Sequence, residues 1–315
     1  MRARRERDRA AQALQGQRHR ARAPLAALAL PHGLRDVRGG LRLPPARCRG
    51  LHQPERAPAA HPRPAGPRAL SRVRVDLALT ADAVTPGQLD GAAVLVIDVL
   101  RASTTMIAAL AGGCEAIVPV ADPDEALRRA AELGPGRAVT AGERGGEAIA
   151  GFDLGNSPAA CTPERVAGRT LVFTTSNGTR ALLAARGAAA VAVAALVNLG
   201  AAAAWALAQG RDVTLLCSGQ RGAVSLEDHV CAGLLAARLA REEPGARLTP
   251  AAAEAARLAA TYGKDVTRLA RDSEWARRLA ARGHADDVAA CLALDATTIV
   301  PVYLPAVDKV VRGPR

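Results

Sequence analysis

The chain has 315 residues, a formal net charge of +12, 49% hydrophobic residues and only 2% aromatic residues. Such a length holds one large domain or two ordinary ones, and with two residues each of Phe, Trp and Tyr the core has to be built from Ala, Val and Leu. The charge is confined to one end: residues 1–72 carry 17 Arg, no Lys and 4 acids, while residues 73–315 carry 25 basic and 26 acidic side chains. The basic excess therefore gives no reason to assign a nucleic-acid partner to the rest of the chain.

Residues 1–72 are rich in Arg, Pro and Ala and hold only short apolar pieces such as Leu25–Leu30. They cannot bury enough apolar surface to offset the entropy of ordering, so we expect a disordered basic extension without a role in the activity. No aromatic residue is interleaved with the arginines, which leaves no platform for base stacking. The apolar run is too short and too proline-flanked for a secretory signal. Six scattered cysteines, Cys48, Cys114, Cys161, Cys217, Cys231 and Cys291, form no C-x-x-C pair. They read as free thiols of a cytoplasmic protein, not as a disulfide framework or zinc site. The most apolar stretch, Ala188–Ala208, is interrupted by Asn198 and Gly200 and reads as a buried strand followed by a helix, not as a membrane span.

From residue 73 onward strands and helices alternate. Val73–Leu79 reads as a strand. Ala92–Val99, with four apolar residues in a row from Val94 to Ile97, reads as a strand covered on both faces. A helix over Ala102–Gly112 follows, which Ser103 or Thr104 could cap. Ala116–Val120 is a strand, and Asp122-Pro123-Asp124-Glu125 opens a helix running to Leu133. Ala138–Ala141 is a strand, then come two polar, glycine-rich pieces, Gly142–Gly146 and Gly151–Pro158. Thr170–Thr174, Ala190–Leu196 and Val213–Cys217 are further strands, followed by helices from Ala181, over Gly200–Gln209 and over His229–Ala240. The tail reads as helical over Pro250–Tyr262, Asp265–Arg271, Asp272–Ala281 and Val288–Leu294, with His284–Asp287 as a cap and Ile299–Val302 as a final extended piece. This alternation predicts an α/β fold with a largely parallel sheet flanked by helices. Residues 73–315 form the working region, which two α/β subdomains could divide.

In such folds ligands bind at the carboxyl ends of strands. Four predicted strand ends share one composition: Asp98 and Arg101; Glu143 and Arg144; Asn177, Thr179 and Arg180; and Gly219, Arg221, Glu227 and Asp228. Arginines with hydroxyls and backbone N–H groups suit phosphate or sulfonate oxygens. Converging carboxylates suit Mg²⁺ with its waters. The P-loop, the dinucleotide fingerprint and the G-x-S-x-G elbow are absent. Cys217 lies too close to Arg221 for a cysteine-phosphatase loop, and Asp98 lacks the second Asp of a haloacid-dehalogenase site.

Five stretches carry a resemblance: Val96–Thr105, Gly142–Gly146, Gly151–Pro158, Thr174–Arg180 and Ser225–Asp228, with Gly283–Asp287 through Pro301 beside them. In this order they resemble the 2-phosphosulfolactate phosphatase family over roughly Val73 to Val307. Ser176 is a mild departure, and residues 1–72 fall outside. The resemblance implies a cytoplasmic Mg²⁺-dependent phosphatase, a phosphoric monoester hydrolase. It would convert (R)-2-phospho-3-sulfolactate to 3-sulfolactate and phosphate, a step of coenzyme M biosynthesis. On that basis Asp98, Arg101, Glu143 and Arg144 are the expected catalytic residues. Asp98, Glu143, Glu227 and Asp228 are the expected metal ligands. Ser103, Thr104, Thr175, Asn177, Gly178, Thr179, Arg180 and Gly219 are expected to bind substrate. The expected partner is a small phosphorylated, sulfonated anion, with no nucleic acid and no membrane. The Ala-rich helices leave room for a homodimer. Two competing readings are a phosphatase for another phosphorylated hydroxy acid and a non-catalytic binder of small phosphorylated anions.

Overall fold

The structure, a computed structural model, describes residues 73–85 and 87–314. The expected disorder of residues 1–72, and Cys48 with it, lies outside the described residues. The described strands are β1 (Arg74–Ala78), β2 (Ala93–Ile97), β3 (Ala116–Pro119), β4 (Ala138–Arg144), β5 (Glu147–Ala148), β6 (Thr170–Thr174), β7 (Ala190–Ala194), β8 (Val213–Cys217), β9 (Arg247–Leu248), β10 (Pro301–Leu304) and β11 (Lys309–Arg312). The helices are α1 (Ala102–Ala111), α2 (Pro123–Leu133), α3 (Pro163–Val166), α4 (Gly178–Ala184), α5 (Leu199–Ala208), α6 (Leu226–Glu242), α7 (Pro250–Ala260), α8 (Leu269–Asp272), α9 (Glu274–Leu279) and α10 (Ala285–Cys291). Short 3-10 turns join several of them.

All eleven strands form one sheet in the order β5-β4-β6-β3-β11-β10-β7-β2-β8-β1-β9. It has two parallel halves. Strands β7, β2, β8, β1 and β9 run together, and β3, β6 and β4 run together. The C-terminal hairpin β10–β11 pairs antiparallel with β7 on one side and with β3 on the other. Three antiparallel steps reverse direction, so the two halves run opposite ways. In a flat sheet the ends of β2 and β4 would be six strand steps, roughly 29 Å, apart and at opposite edges. They line one cleft instead, so the sheet coils round to bring them together, as long twisted sheets do.

The unbroken apolar run of β2 follows from its position. Leu95 and Ile97 belong to one buried cluster, with α5, α6 and α7. Val94 and Val96 belong to another, with α1 and α4. Both clusters are mainly Ala, Val and Leu, as the composition requires.

The cap at Asp122 forms, accepting from Glu125 N–H (2.8 Å), and Ser225 caps its helix by accepting from Asp228 N–H (3.3 Å). Ser103 and Thr104 do not cap α1. Both lie inside it, and Asp98 Oδ1 accepts the Ala102 N–H instead (3.0 Å). A buried carboxylate is the stronger acceptor and takes the place of the hydroxyl. Two other boundaries move. Strand β4 runs on to Arg144, so Glu143 and Arg144 lie within the strand. Helix α6 starts at Leu226, so Glu227 and Asp228 occupy its first turn. The five described cysteines are free and buried. Among the described residues no helix is long and apolar enough to cross a membrane.

Candidate active site

Asp98 follows the last residue of β2 and is 7% exposed. Its backbone N–H donates to Ser103 Oγ (2.9 Å), and its Oδ1 accepts from the first turn of α1. Its Oδ2 crowds α4: a Cβ on Gly178 would stand 2.7 Å from it and 2.5 Å from Ala102 Cβ. Only glycine lets α4 approach α1 this closely. Gly178 is therefore a packing requirement of the site.

Three further carboxylates surround Asp98. Asp228 Oδ1 accepts the Val99 N–H (2.8 Å) and its Oδ2 accepts from Ser218 Oγ (3.1 Å). Glu227 Oε2 accepts from Ser273 Oγ (2.7 Å). Glu143 accepts from Gly146 N–H (2.6 Å), Ser176 N–H (2.7 Å) and Ser176 Oγ (3.3 Å). Burial pushes the Asp98 carboxyl up to about 6, and the charges of Glu143 and Glu227 push the same way. Burial, then Asp98 and Glu227, hold Asp228 well above the usual carboxylate range, and burial raises Glu227. Such a cluster holds protons, or a cation in their place.

The cleft beside Asp98 spans about 400 Å³ with its solvent-open mouth included. It is lined by residues from four strand ends, including Asp98, Arg101, Glu143, Asn177 and Arg221, and by Trp275 of α9. A narrow recess, sharing Asp98 and Asn177, reaches Ser218, Gly219, Glu227 and Asp228. The structure thus brings together Asp98, Arg101, Glu143, Asn177, Gly219, Glu227 and Asp228 from the expected set.

The other expected residues stand elsewhere. Arg144 donates to Glu143 O (2.8 Å), Thr174 Oγ1 (2.9 Å) and Ala121 O (3.1 Å), bracing β4 against β6 and the loop before α2. Arg180 pairs with Asp82 at the surface. Thr104 Oγ1 donates to Val99 O (3.0 Å). Thr175 and Thr179 exchange side-chain and backbone bonds (3.0–3.1 Å) that fold the start of α4. Ser103, Thr104, Thr175 and Thr179 are buried hydroxyls that shape the loops.

Several cleft residues stand outside the expected set, among them Asn156, Gln220 and Trp275, and Arg221, named at its strand end, joins them. Asn156 sits in the polar, glycine-rich piece Gly151–Pro158, which is its available signal in the sequence. Arg221 makes no ion pair among the described residues. Asn156 Oδ1 is buried without a hydrogen-bond partner. Trp275, whose Nε1 donates to Leu100 O (3.0 Å), and Gln220 gave no local signal.

Among the described residues no three Asp, Glu, His or Cys side chains stand together as a ready metal cage. The expected four-carboxylate ligand set is not preformed. In Glu143 and Asp228 both carboxylate oxygens already accept hydrogen bonds. Magnesium needs only one or two carboxylates, with water and substrate oxygens completing its shell. The carboxylates of Asp98 and Glu227, which line the recess, are oxygen donors of the kind that requirement needs.

A family model described as 2-phosphosulpholactate phosphatase matches residues 78–305. The chain belongs to the 2-phosphosulfolactate phosphatase family. Curated relatives agree with the match. A "Probable 2-phosphosulfolactate phosphatase" of Gloeobacter violaceus is 40% identical over 231 residues, covering 73% of this chain and 94% of the relative. Proteins given the same name in Symbiobacterium thermophilum and in Synechococcus sp. strain RCC307 are 37% and 43% identical. They cover 69% and 66% of this chain and 93% and 88% of their own lengths. The 2-phosphosulfolactate phosphatase match contains every cleft residue named above, from Asp98 to Trp275.

Proposed function

We propose that this chain is a phosphoric monoester hydrolase that releases phosphate and 3-sulfolactate from 2-phosphosulfolactate, with Asp98 at the reacting end of the cleft. The observation that carries this reading is the convergence of Asp98, Glu227, Arg101 and Arg221, from distant parts of the chain, on one small cleft. A substrate bearing phosphate, sulfonate and carboxylate needs separate places for its charges. Asp98, Glu227 and Asp228 line the recess, and Arg101 and Arg221 line the cleft beside it.

Hydrolysis of a phosphate ester is mostly a matter of positioning and of stabilising charge on the phosphoryl oxygens. Magnesium, when bound, shields that charge and lowers the pKa of coordinated water. Asp98 and Glu227 would hold it. Asp228 would keep the loop after β2 in place through Val99 N–H and Ser218. Arg101 presents N–H donors to the phosphoryl group, since among the described residues only two of its five hydrogens are engaged. Glu143 fixes the Gly145–Gly146 turn and Ser176, which form one wall. Arg221, at the cleft and without an ionic partner among the described residues, would take a second anionic group. Trp275 supplies an apolar wall that keeps water away from the reacting end.

The test is phosphate release by the full chain from 2-phosphosulfolactate, 2-phospholactate and p-nitrophenyl phosphate, with millimolar Mg²⁺ and with EDTA. The proposal expects Mg²⁺-dependent release with 2-phosphosulfolactate preferred by kcat/KM. Release from the other esters at equal efficiency would overturn the substrate. Absence of release from all three would overturn the hydrolase reading.

A further inference from the structure

The family match and the cleft leave one buried charge without a role. Asp287, in the first turn of α10, is 5% exposed and touches no cleft volume. From the sequence, His284–Asp287 read as a helix cap. The structure shows Asp287 pointing into the protein. Its Oδ2 accepts from Arg101 Nη1 (2.7 Å) and its Oδ1 accepts from Ser157 Oγ (2.6 Å). His284 Nδ1 lies 3.5 Å from Oδ2. The side chains of the Arg101–Asp287 pair are 3% and 6% exposed.

Each contact leads to a wall of the cleft. Arg101 Nη2 donates to Gly146 O (2.8 Å), while Gly146 N–H donates to Glu143. Ser157 follows Asn156, whose Oδ1 is the unpartnered buried oxygen of the cleft. Cys291, one turn beyond Asp287 in α10, faces Thr104 of α1 and feels the charges of Asp287 and Arg101. One carboxylate from the C-terminal helix therefore fixes the loop after β2, the Gly145–Gly146 turn and the Asn156–Ser157 loop at once.

We infer that Asp287 is a positioning residue for the phosphatase reaction: it holds the Arg101 guanidinium in the plane and direction from which Arg101 meets the phosphoryl group. Replacing a buried ion pair by apolar residues is often neutral or stabilising, whereas removing one partner leaves an uncompensated charge. A pair retained in a cleft wall, with the arginine keeping spare donors toward the cleft, suits orientation more than stability. Arginine held by a carboxylate on one edge presents the other in a fixed fork. An unheld Arg101 has its long side chain's rotamers to lose on every binding event. This inference rests on the proposed function for the identity of the reaction, but not for the binding of phosphate.

The experiment uses the full chain as wild type, Asp287→Asn, Arg101→Ala and the double variant. Kinetics use 2-phosphosulfolactate with and without methylguanidinium in the low millimolar range. Inorganic phosphate binding is read by calorimetry on the same proteins. We expect Asp287→Asn to lower kcat/KM about 100-fold, largely through kcat. Methylguanidinium should restore at least tenfold activity to Arg101→Ala, and none to the double variant, because the added cation needs Asp287 to seat it. Asp287→Glu, which keeps the charge, should recover part of the loss and covers the case in which Asp287→Asn does not fold. Equal rescue of the single and double variants, or wild-type kcat in Asp287→Asn, overturns the inference.

If the wild type turns over no 2-phosphosulfolactate, the functional reading falls and phosphate binding decides this one. A tenfold weaker Kd in Asp287→Asn upholds it. An unchanged Kd, or no phosphate binding by the wild type, overturns it.

Discussion

Replacing Asp98 with asparagine should make the protein more stable while it removes the activity. In the folded state burial and the neighbouring Glu143 and Glu227 lift the Asp98 carboxyl from 3.8 to about 6. At about 1.4 kcal/mol per factor of ten in the proton equilibrium, keeping it ionised above pH 6 costs about 3 kcal/mol. That figure already includes the charged hydrogen bond from the Ala102 N–H, which lowers the carboxyl, and asparagine keeps an oxygen for it. The net gain is about 3 kcal/mol, or about 6–12 °C in Tm for a domain of this size.

The pH dependence gives the sign. Below pH 3.8 the carboxyl is neutral folded and unfolded, and the variant gains nothing from its charge. Between 3.8 and about 6 the unfolded chain releases its proton first, so wild-type stability falls as pH rises and the gap opens. Above about 6 the gap is constant. Thermal unfolding of both proteins from pH 4 to pH 8 reads this directly. Millimolar Mg²⁺ should narrow the gap by stabilising the wild type alone. A variant less stable than wild type at pH 8, or a gap of the same size at pH 4, would refute the reasoning.

Three other substitutions test separate parts of the site. Gly178→Ala forces a methyl to within 2.5 Å of Ala102 Cβ; we expect a loss of about 2 kcal/mol in urea unfolding, with activity falling as α4 moves away from Asp98. Glu143→Gln leaves Gly146 N–H or Ser176 N–H facing an amide NH₂, and should cost about 1–3 kcal/mol with at least tenfold in kcat/KM. Arg221 occupies the first central position of the tight turn Gln220–Ala223, with φ +51°, followed by Gly222 at +81°. Asparagine accepts that conformation more readily, so Arg221→Asn should gain about 1 kcal/mol in stability and raise KM for 2-phosphosulfolactate at least tenfold. A fall in stability there would mean that the arginine is held for structural reasons.

The sequence pattern revealed those parts of the fold whose cause is local. β2 was visible because both of its faces are buried, and Thr170–Thr174 and Val213–Cys217 have the same bounds in the structure for the same reason. Asp98, Glu227 and Asp228 were legible as polar residues beside buried strands. What stayed hidden depends on long-range pairing. β11 was not foreseen, and the hairpin that reverses the sheet makes sense only against β3 and β7. Arg144 and Arg180 look like cleft arginines by position, yet their guanidinium groups are engaged by neighbours that the sequence does not place beside them. Asp287 lies 186 residues from its partner Arg101 and reads locally as an ordinary helix cap. Trp275 reaches the cleft from a helix whose own pattern marks only packing.

The most direct test of the central claim is phosphate release from 2-phosphosulfolactate by the full-length protein and by its Asp98→Asn variant, in Mg²⁺ at pH 7. The account predicts turnover by the wild type that EDTA abolishes, and a variant that is folded, more heat-resistant and inert. A folded Asp98→Asn protein that turns over at the wild-type rate would contradict it.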